Sequence, residues 1–230
     1  MEEKSLSVAF GDSLKEESIA CISDLAEVGL DAILNDGILK DIPIISTAVA
    51  LYKIGNSLKE RHNLRKLSIF LKEINNGIVD EEKRKEYQRK FQTNDKYRNR
   101  EIEYLLVLID RYISNDKPQL LAKLYMAYLD GIIIWEELTM YAEVIDRFLL
   151  LDCGTLISCD GKITVHRNIG GESVLRLVAL GLMAETNEDS IFETDNDNIS
   201  VTLESMARFS SNDKSYRRTE FGEKLAVILK

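Results

Sequence analysis

The sequence predicts a mainly α-helical fold, with an N-terminal multi-helix bundle followed by a small α+β module. Apolar residues recur at helical spacing among charged ones through about the first 150 residues. Only 2 prolines and 12 glycines interrupt the chain, which favours long helices over a sheet of many strands. Beyond residue 152, short β-prone runs replace the helical pattern. We therefore expect two domains, a helical bundle over 1–152 and an α+β module over 153–230.

Two helices are expected near the N-terminus. The first is amphipathic, covers Ser13 to Asn35, and is stopped by Gly37. Asp41 then offers an N-cap and Pro43 falls in a first turn, which predicts the start of a second helix. The stretch from Ile42 to Leu51 is apolar around its whole circumference, so we expect it to be buried in protein or in lipid.

Five further helices complete the predicted bundle, and each is bounded by a residue that starts, caps or stops a helix. They are a third helix from about Leu64 to Gly77, a fourth that begins at the Asp80 cap, a fifth that contains Tyr104 to Asp110, a sixth from Lys117 to Gly131, and a seventh from about Trp135 to Leu151. Helices joined by short loops in this way are typical of a bundle.

The C-terminal module is predicted to mix strands and helices. Asp160-Gly161 lies between two β-prone runs, 156–159 and 162–165, which indicates a β-hairpin. A helix is expected from Glu172 to Ala184. The remaining predicted elements are strands over 190–193, 199–203 and 216–218 and a final helix capped by Thr219.

Charge is distributed unevenly along the chain. The net charge of -9 argues against broad nucleic-acid affinity, and the seven acidic residues between Glu185 and Glu204, with no Lys or Arg, argue against DNA as a partner. The segment from Lys83 to Arg100 reverses the sign, because eight basic residues there outnumber two acidic ones. This segment is either a solvated helix face or a contact for anionic lipid, RNA or an acidic partner. The candidate contact residues are Lys83, Arg84, Lys85, Arg89, Lys90, Lys96, Arg98 and Arg100.

The sequence contains no recognisable catalytic constellation. His62 and His166 are its two histidines, and neither accompanies a nucleophile elbow, a phosphate-binding loop or a metalloprotease spacing. Cys21, Cys153 and Cys159 form neither an even disulfide set nor a metal-type pair. The sequence therefore predicts a protein that is not an enzyme and that uses no cofactor.

A weak internal repeat relates residues 70–82 to residues 124–136. The alignment matches Gly77 with Gly131 and Glu82 with Glu136, so each copy is a helix stopped by glycine before an acidic helix start. The two copies are either ancient duplicates or two uses of the same capping chemistry.

Two stretches resemble known families. The sequence Ala-Tyr-Leu-Asp-Gly-Ile-Ile-Ile-Trp-Glu-Glu over 127–137 resembles the turn of TerB-like helical domains of bacterial stress and phage-defence proteins. This resemblance implies an all-helical domain, and implies divalent-metal ligands at Asp130, Glu136 and Glu137. Residues 179–182 with 216–225 resemble the closing part of winged-helix modules of bacterial regulators and abortive-infection proteins. That second resemblance implies DNA binding or protein docking, and the acidic charge favours docking.

Two functions fit these observations. In the first, the apolar second helix is the core of the bundle, and the chain is a cytoplasmic bacterial adaptor or regulator that binds other proteins or itself. In the second, helices one and two insert into a bilayer from its inner face, guided by the basic segment, as an abortive-infection effector would. The eleven uncharged residues from Ile42 to Tyr52 are too few for an unassisted span, which needs about 20. The inserting side chains would be Ile42, Ile44, Ile45, Val49 and Leu51.

Overall fold

The computed structural model describes residues 5–14, 42–52, 58–78, 81–92, 96–165, 171–186 and 214–230, with the backbone alone described at 48–52, 58, 60 and 61. This part of the chain forms ten helices and one three-stranded antiparallel sheet. The predicted fold class, mainly α with a small α+β module, is confirmed.

The chain divides into two compact units, Met1–Asp146 and Arg147–Lys230. The sequence placed this boundary after residue 152, whereas in the structure the helix Leu151–Ser158 belongs to the second unit. Side-chain bonding accounts for the difference, because Asp152 in this helix is hydrogen-bonded to Ser173 and Arg176 of the same unit.

The described part of the first unit is helical. Its helices are α1 Leu6–Ser13, α2 Pro43–Tyr52, α3 Leu58–Gly77, α4 Glu81–Phe91, α5 Lys96–Arg111, α6 Lys117–Leu129 and α7 Trp135–Arg147. Six of them match the predicted second to seventh helices. The predicted first helix, from Ser13 to Asn35, lies outside the described residues except for Ser13 and Leu14. The helix α1 was not predicted from the sequence.

The turn after α6 shows why the sixth helix stops where the sequence predicts. Asp130 is its C-terminal cap, and Gly131 follows with a φ of 73°, a left-handed conformation that side chains other than that of glycine rarely adopt. Gly77 ends α3 without a positive φ, so the two glycines matched in the internal repeat terminate their helices differently.

Aromatic rings from four helices form the centre of the first unit. Phe10 of α1 lies with its ring centroid 5.0 Å from that of Phe91, 5.8 Å from that of Tyr125 and 6.4 Å from that of Phe70. All four side chains are almost completely buried. Large aromatic side chains dominate core energetics, so α1 joins α3, α4 and α6 through this cluster.

The second unit combines helices with a small sheet. Its elements are α8 Leu151–Ser158, β1 Lys162–Val165, α9 Glu172–Ala179, β2 Met183–Glu185, β3 Lys214–Arg218 and α10 Glu220–Leu229. The strand order is β1-β3-β2 with antiparallel pairing, so that Ile163 lies opposite Tyr216 and Ala184 opposite Arg217. The central strand is therefore the last one in the sequence.

The predicted hairpin at 156–165 is wrong. Residues 156–158 belong to α8, where Leu156 is fully buried, and β1 pairs with β3 instead of with a neighbouring strand. A short apolar run is compatible with either a strand or a buried helix, and tertiary packing determines that residues 156–158 are helical.

Two other predictions for this unit have different outcomes. The helix predicted over 172–184 ends at Ala179, because Gly181 has a φ of 73° and residues 183–185 join the sheet. The strand at 216–218 and the final helix are confirmed, and the Thr219 hydroxyl accepts a hydrogen bond of 3.0 Å from the Gly222 N–H. The predicted strands 190–193 and 199–203 lie outside the described residues.

Candidate interaction surface

The three carboxylates predicted as metal ligands are not brought together. Among the described residues, no group of three or more His, Cys, Asp or Glu side chains could hold a metal ion. Asp130 instead pairs with Lys83 at 2.7 Å and accepts a hydrogen bond from the Tyr87 hydroxyl. The Glu137 carboxylate accepts a 3.0 Å hydrogen bond from the Ile134 N–H at the start of α7, and Glu136 is exposed. Two of these residues thus fasten or cap helix ends.

The basic segment on α4 and α5 is largely engaged in contacts within the first unit. Five of its eight cations have partners there. Lys83 binds Asp130, Arg84 donates to the carbonyls of Leu14 and Ile78, Lys85 binds Glu81, Lys90 binds Glu86 and the Leu129 carbonyl, and Arg98 binds Glu101. The local charge excess seen in the sequence is therefore not a free cationic surface of eight residues.

Two of these cations stabilise the end of α6. Lys90 Nζ donates to the Leu129 carbonyl at 2.8 Å, and Lys83 Nζ lies 2.7 Å from the Asp130 carboxylate. The last carbonyls of a helix lack intrahelical partners and carry partial negative charge, which ammonium groups satisfy. These contacts give two of the basic residues on α4 a role within the first unit.

The other three cations, Arg89, Lys96 and Arg100, are exposed. Their side chains form no hydrogen bond or ion pair with another residue in the part of the chain that the structure describes. They are what remains of the predicted contact set for a partner or an anionic surface.

The start of the apolar helix α2 is buried in the first unit. Ile42, Ile44 and Ile45 each have 0% exposure. Ser13, at the end of α1, accepts a 2.9 Å hydrogen bond from the Ile44 N–H through its own hydroxyl, which also donates to the Ala9 carbonyl. A buried serine thus caps the first turn of α2. The side chains of the other two predicted insertion residues, Val49 and Leu51, are outside those described.

A buried carboxylate fixes α5 against α6. Glu101, with 2% exposure, lies 2.7 Å from the Arg98 guanidinium and accepts a hydrogen bond from the Tyr128 hydroxyl. Burial, and then the hydrogen bond to Glu101, raises the pKa of the Tyr128 phenol above its usual value. The protonated phenol donates this hydrogen bond, and the Tyr128 ring contacts Trp135 edge-to-face.

Exposed apolar side chains lie close along the chain to Tyr104 and Trp135, whose rings pack together. Trp135 at the start of α7 packs edge-to-face on Tyr104 of α5, with 5.6 Å between ring centroids, and on Tyr128 at 5.4 Å. Val107, one turn after Tyr104, is 58% exposed, and in the turn before Trp135 the side chains of Ile132 and Ile134 are 58% and 60% exposed. We call Tyr104, Val107, Ile132, Ile134 and Trp135 the Trp135 face.

The sequence contains a signal for this face that helix and strand periodicity does not report. Three consecutive isoleucines, 132–134, follow Gly131, and a short turn can bury only part of such a run. Ile133 is buried while Ile132 and Ile134 face outward. An exposed apolar group beside aromatic residues is a feature of protein-binding sites.

In the second unit, the best-placed cation on α9 is engaged internally. Arg176 binds both oxygens of Asp152, at 2.8 and 2.6 Å, and Asp152 has 0% exposure. The Arg176 hydrogen bonds lower the pKa of the Asp152 carboxyl. The exposed positions of α9 include Glu172, Leu175 and Ala179, none of which is basic. The described α9 therefore presents no cationic face to phosphates.

No protein-family model, curated protein or solved structure matches this chain. The resemblances to TerB-like domains and to winged-helix modules therefore stay predictions. Within the described residues, no helix combines the length and the apolar character that crossing a membrane requires.

Proposed function

We propose that this chain is a non-enzymatic adaptor or regulatory protein that acts through protein–protein contacts. The observation that carries the proposal is the Trp135 face, where Val107, Ile132 and Ile134 are more than half exposed beside a packed aromatic pair. Rigid aromatic residues with apolar neighbours supply binding energy at protein interfaces with little loss of side-chain entropy. The resemblance to TerB-like domains suggests bacterial stress response or phage defence, in the cytoplasm, as the setting.

The burial of the start of α2 supports an adaptor over a membrane-inserting effector. Insertion would require Ile42, Ile44 and Ile45 to leave the core and the Ser13 cap on α2 to be broken. The basic segment that would guide insertion is mostly occupied by Asp130, by Glu101 and by other internal partners. The membrane-inserting effector is therefore the alternative function, and the vesicle experiment below tests it.

A capture experiment with matched variants tests the proposal. Val107→Glu places a carboxylate in the Trp135 face, and Ile113→Glu makes the same kind of change at an apolar side chain that is 90% exposed elsewhere in the unit. We expect proteins retained by the wild-type chain from lysate of its source cells to be lost with Val107→Glu and kept with Ile113→Glu. Equal retention by both variants would remove the Trp135 face as the docking site.

A sedimentation assay with vesicles addresses the alternative. We expect the purified chain to stay in the supernatant with vesicles that contain an anionic phospholipid. Salt-sensitive co-sedimentation, lost when Lys96 and Arg100 are both changed to Glu, would favour the effector instead.

A further inference from the structure

We infer that the Trp135 face binds the same face of a second copy of this chain, forming a two-fold dimer. The inference rests on the proposed function, because it names the partner of the same docking face. Its evidence is the arrangement of free charges around the apolar centre.

Two unpaired charges of opposite sign lie close to Tyr104 and Trp135 along their helices. Arg100 lies one helical turn before Tyr104 on α5, and Glu136 directly follows Trp135 on α7. Both side chains are exposed, and neither has a hydrogen bond or ion pair within the described ranges. Glu103, directly before Tyr104, is also exposed and has no hydrogen bond or ion pair from its side chain within the described ranges, so the α5 side carries both signs and the α7 side carries an anion.

This arrangement is self-complementary. In a two-fold interface the same patch is used by both copies, so residue i contacts residue j and residue j contacts residue i. An axis that lies in the face and passes midway between Arg100 and Glu136 brings each of them to the other residue of the second copy. Two equivalent ion pairs then border an apolar centre formed by Val107 and Ile134, which is the usual division into apolar core and polar rim.

A second copy complements the charges beside the Trp135 face better than a partner that carries only one sign of charge. An anionic membrane or an acidic peptide would neutralise Arg100 but would be repelled by Glu136. Like charges brought together at an interface oppose binding, and opposite charges fix the register of the two partners. The mixed signs around the Trp135 face therefore favour self-association.

Charge-reversal variants of the full chain test the pairing directly. Arg100→Glu and Glu136→Arg each place like charges at both predicted contacts of a homodimer. An equimolar mixture of the two variants restores opposite charges at both contacts, although neither variant has them alone. Arg65→Glu is the control, because Arg65 is an exposed cation on α3.

Sedimentation equilibrium at micromolar concentrations and low salt is the measurement, with far-UV circular dichroism to show that each variant is folded. We expect the wild type and Arg65→Glu to dimerise, each reversal variant to do so about tenfold more weakly, and their mixture to recover dimers. Three results would each overturn the inference. They are a monomeric wild type, reversal variants that both dimerise as strongly as the wild type, and a mixture that dimerises no more strongly than either variant alone. If the wild type is monomeric while Val107→Glu still loses captured proteins, the inference fails and the proposed function stands.

Discussion

Truncating Ile45 to Ala should remove a large part of the stability of the first unit. The Ile45 side chain is fully buried at the start of α2. Each buried methylene contributes about 0.8 kcal/mol, so losing three carbons forfeits about 2.4 kcal/mol of transfer free energy, and the residual cavity raises the cost to about 3–4 kcal/mol. Domains are stable by only about 5–15 kcal/mol, so the urea midpoint should fall markedly, and a chain of this size should melt about 10 °C lower.

Ile113→Ala provides the matched control for this measurement. Ile113 is 90% exposed, so the same truncation there should change the free energy of unfolding by about 0.5 kcal/mol or less. Urea titrations of both variants, followed by far-UV circular dichroism, give the comparison. Equal losses at Ile45 and Ile113 would refute the placement of the start of α2 in the core.

Three smaller perturbations test other parts of the structure by the same unfolding assay. Ser13→Ala should cost about 1–2 kcal/mol, because it leaves the buried Ile44 N–H without its acceptor, and an unchanged midpoint would contradict that capping role. The hydrogen bonds from Arg176 lower the pKa of Asp152 in the folded state. The ionised Asp152 therefore stabilises the fold at pH values above the unfolded pKa of about 4, and this stabilisation is lost as the pH falls through the lower folded pKa. In Asp152→Asn the free energy of unfolding should therefore fall less steeply as the pH is lowered below about 4. A decrease as steep as that of the wild type would exclude this linkage. Gly131→Ala should cost about 1 kcal/mol through backbone strain alone, since an added Cβ meets nothing within 4 Å, and a neutral result would argue against the positive φ.

The bundle helices were predictable because their signals are local. Pro43 and Pro118 lie in the first turns of α2 and α6, and Thr219 caps α10 through its own hydroxyl. Such residues act on backbone groups three or four positions away, so the sequence alone contains the information.

Features that depend on distant partners were not predictable in the same way. The strand β1 finds its partner in β3, about fifty residues later, and the run before Asp160 had no local reason to prefer a helix over a strand. The helix α1 is short and contributes to the core mainly through Phe10, whose ring partners lie on α3, α4 and α6. Tertiary packing decides such cases, and local propensity is only a weak guide to them.

The candidate site shows the same limit. The sequence shows that basic residues are concentrated in one segment, but it does not show that Lys83 reaches Asp130 or that Arg98 reaches Glu101. The Trp135 face arises because α5 and α7 are neighbours, which brings Tyr104 beside Trp135. No spacing rule within one segment reports that contact.

Hydrogen exchange at the amides of α2 tests the central claim, that the start of this helix is packed inside the bundle. The Ile44 N–H donates to the buried Ser13 hydroxyl, so the amides at the start of α2 should exchange slowly, at rates that vesicles of anionic phospholipid leave unchanged. Rapid exchange in buffer, or a change in protection when those vesicles are added, would contradict the buried position of the start of α2.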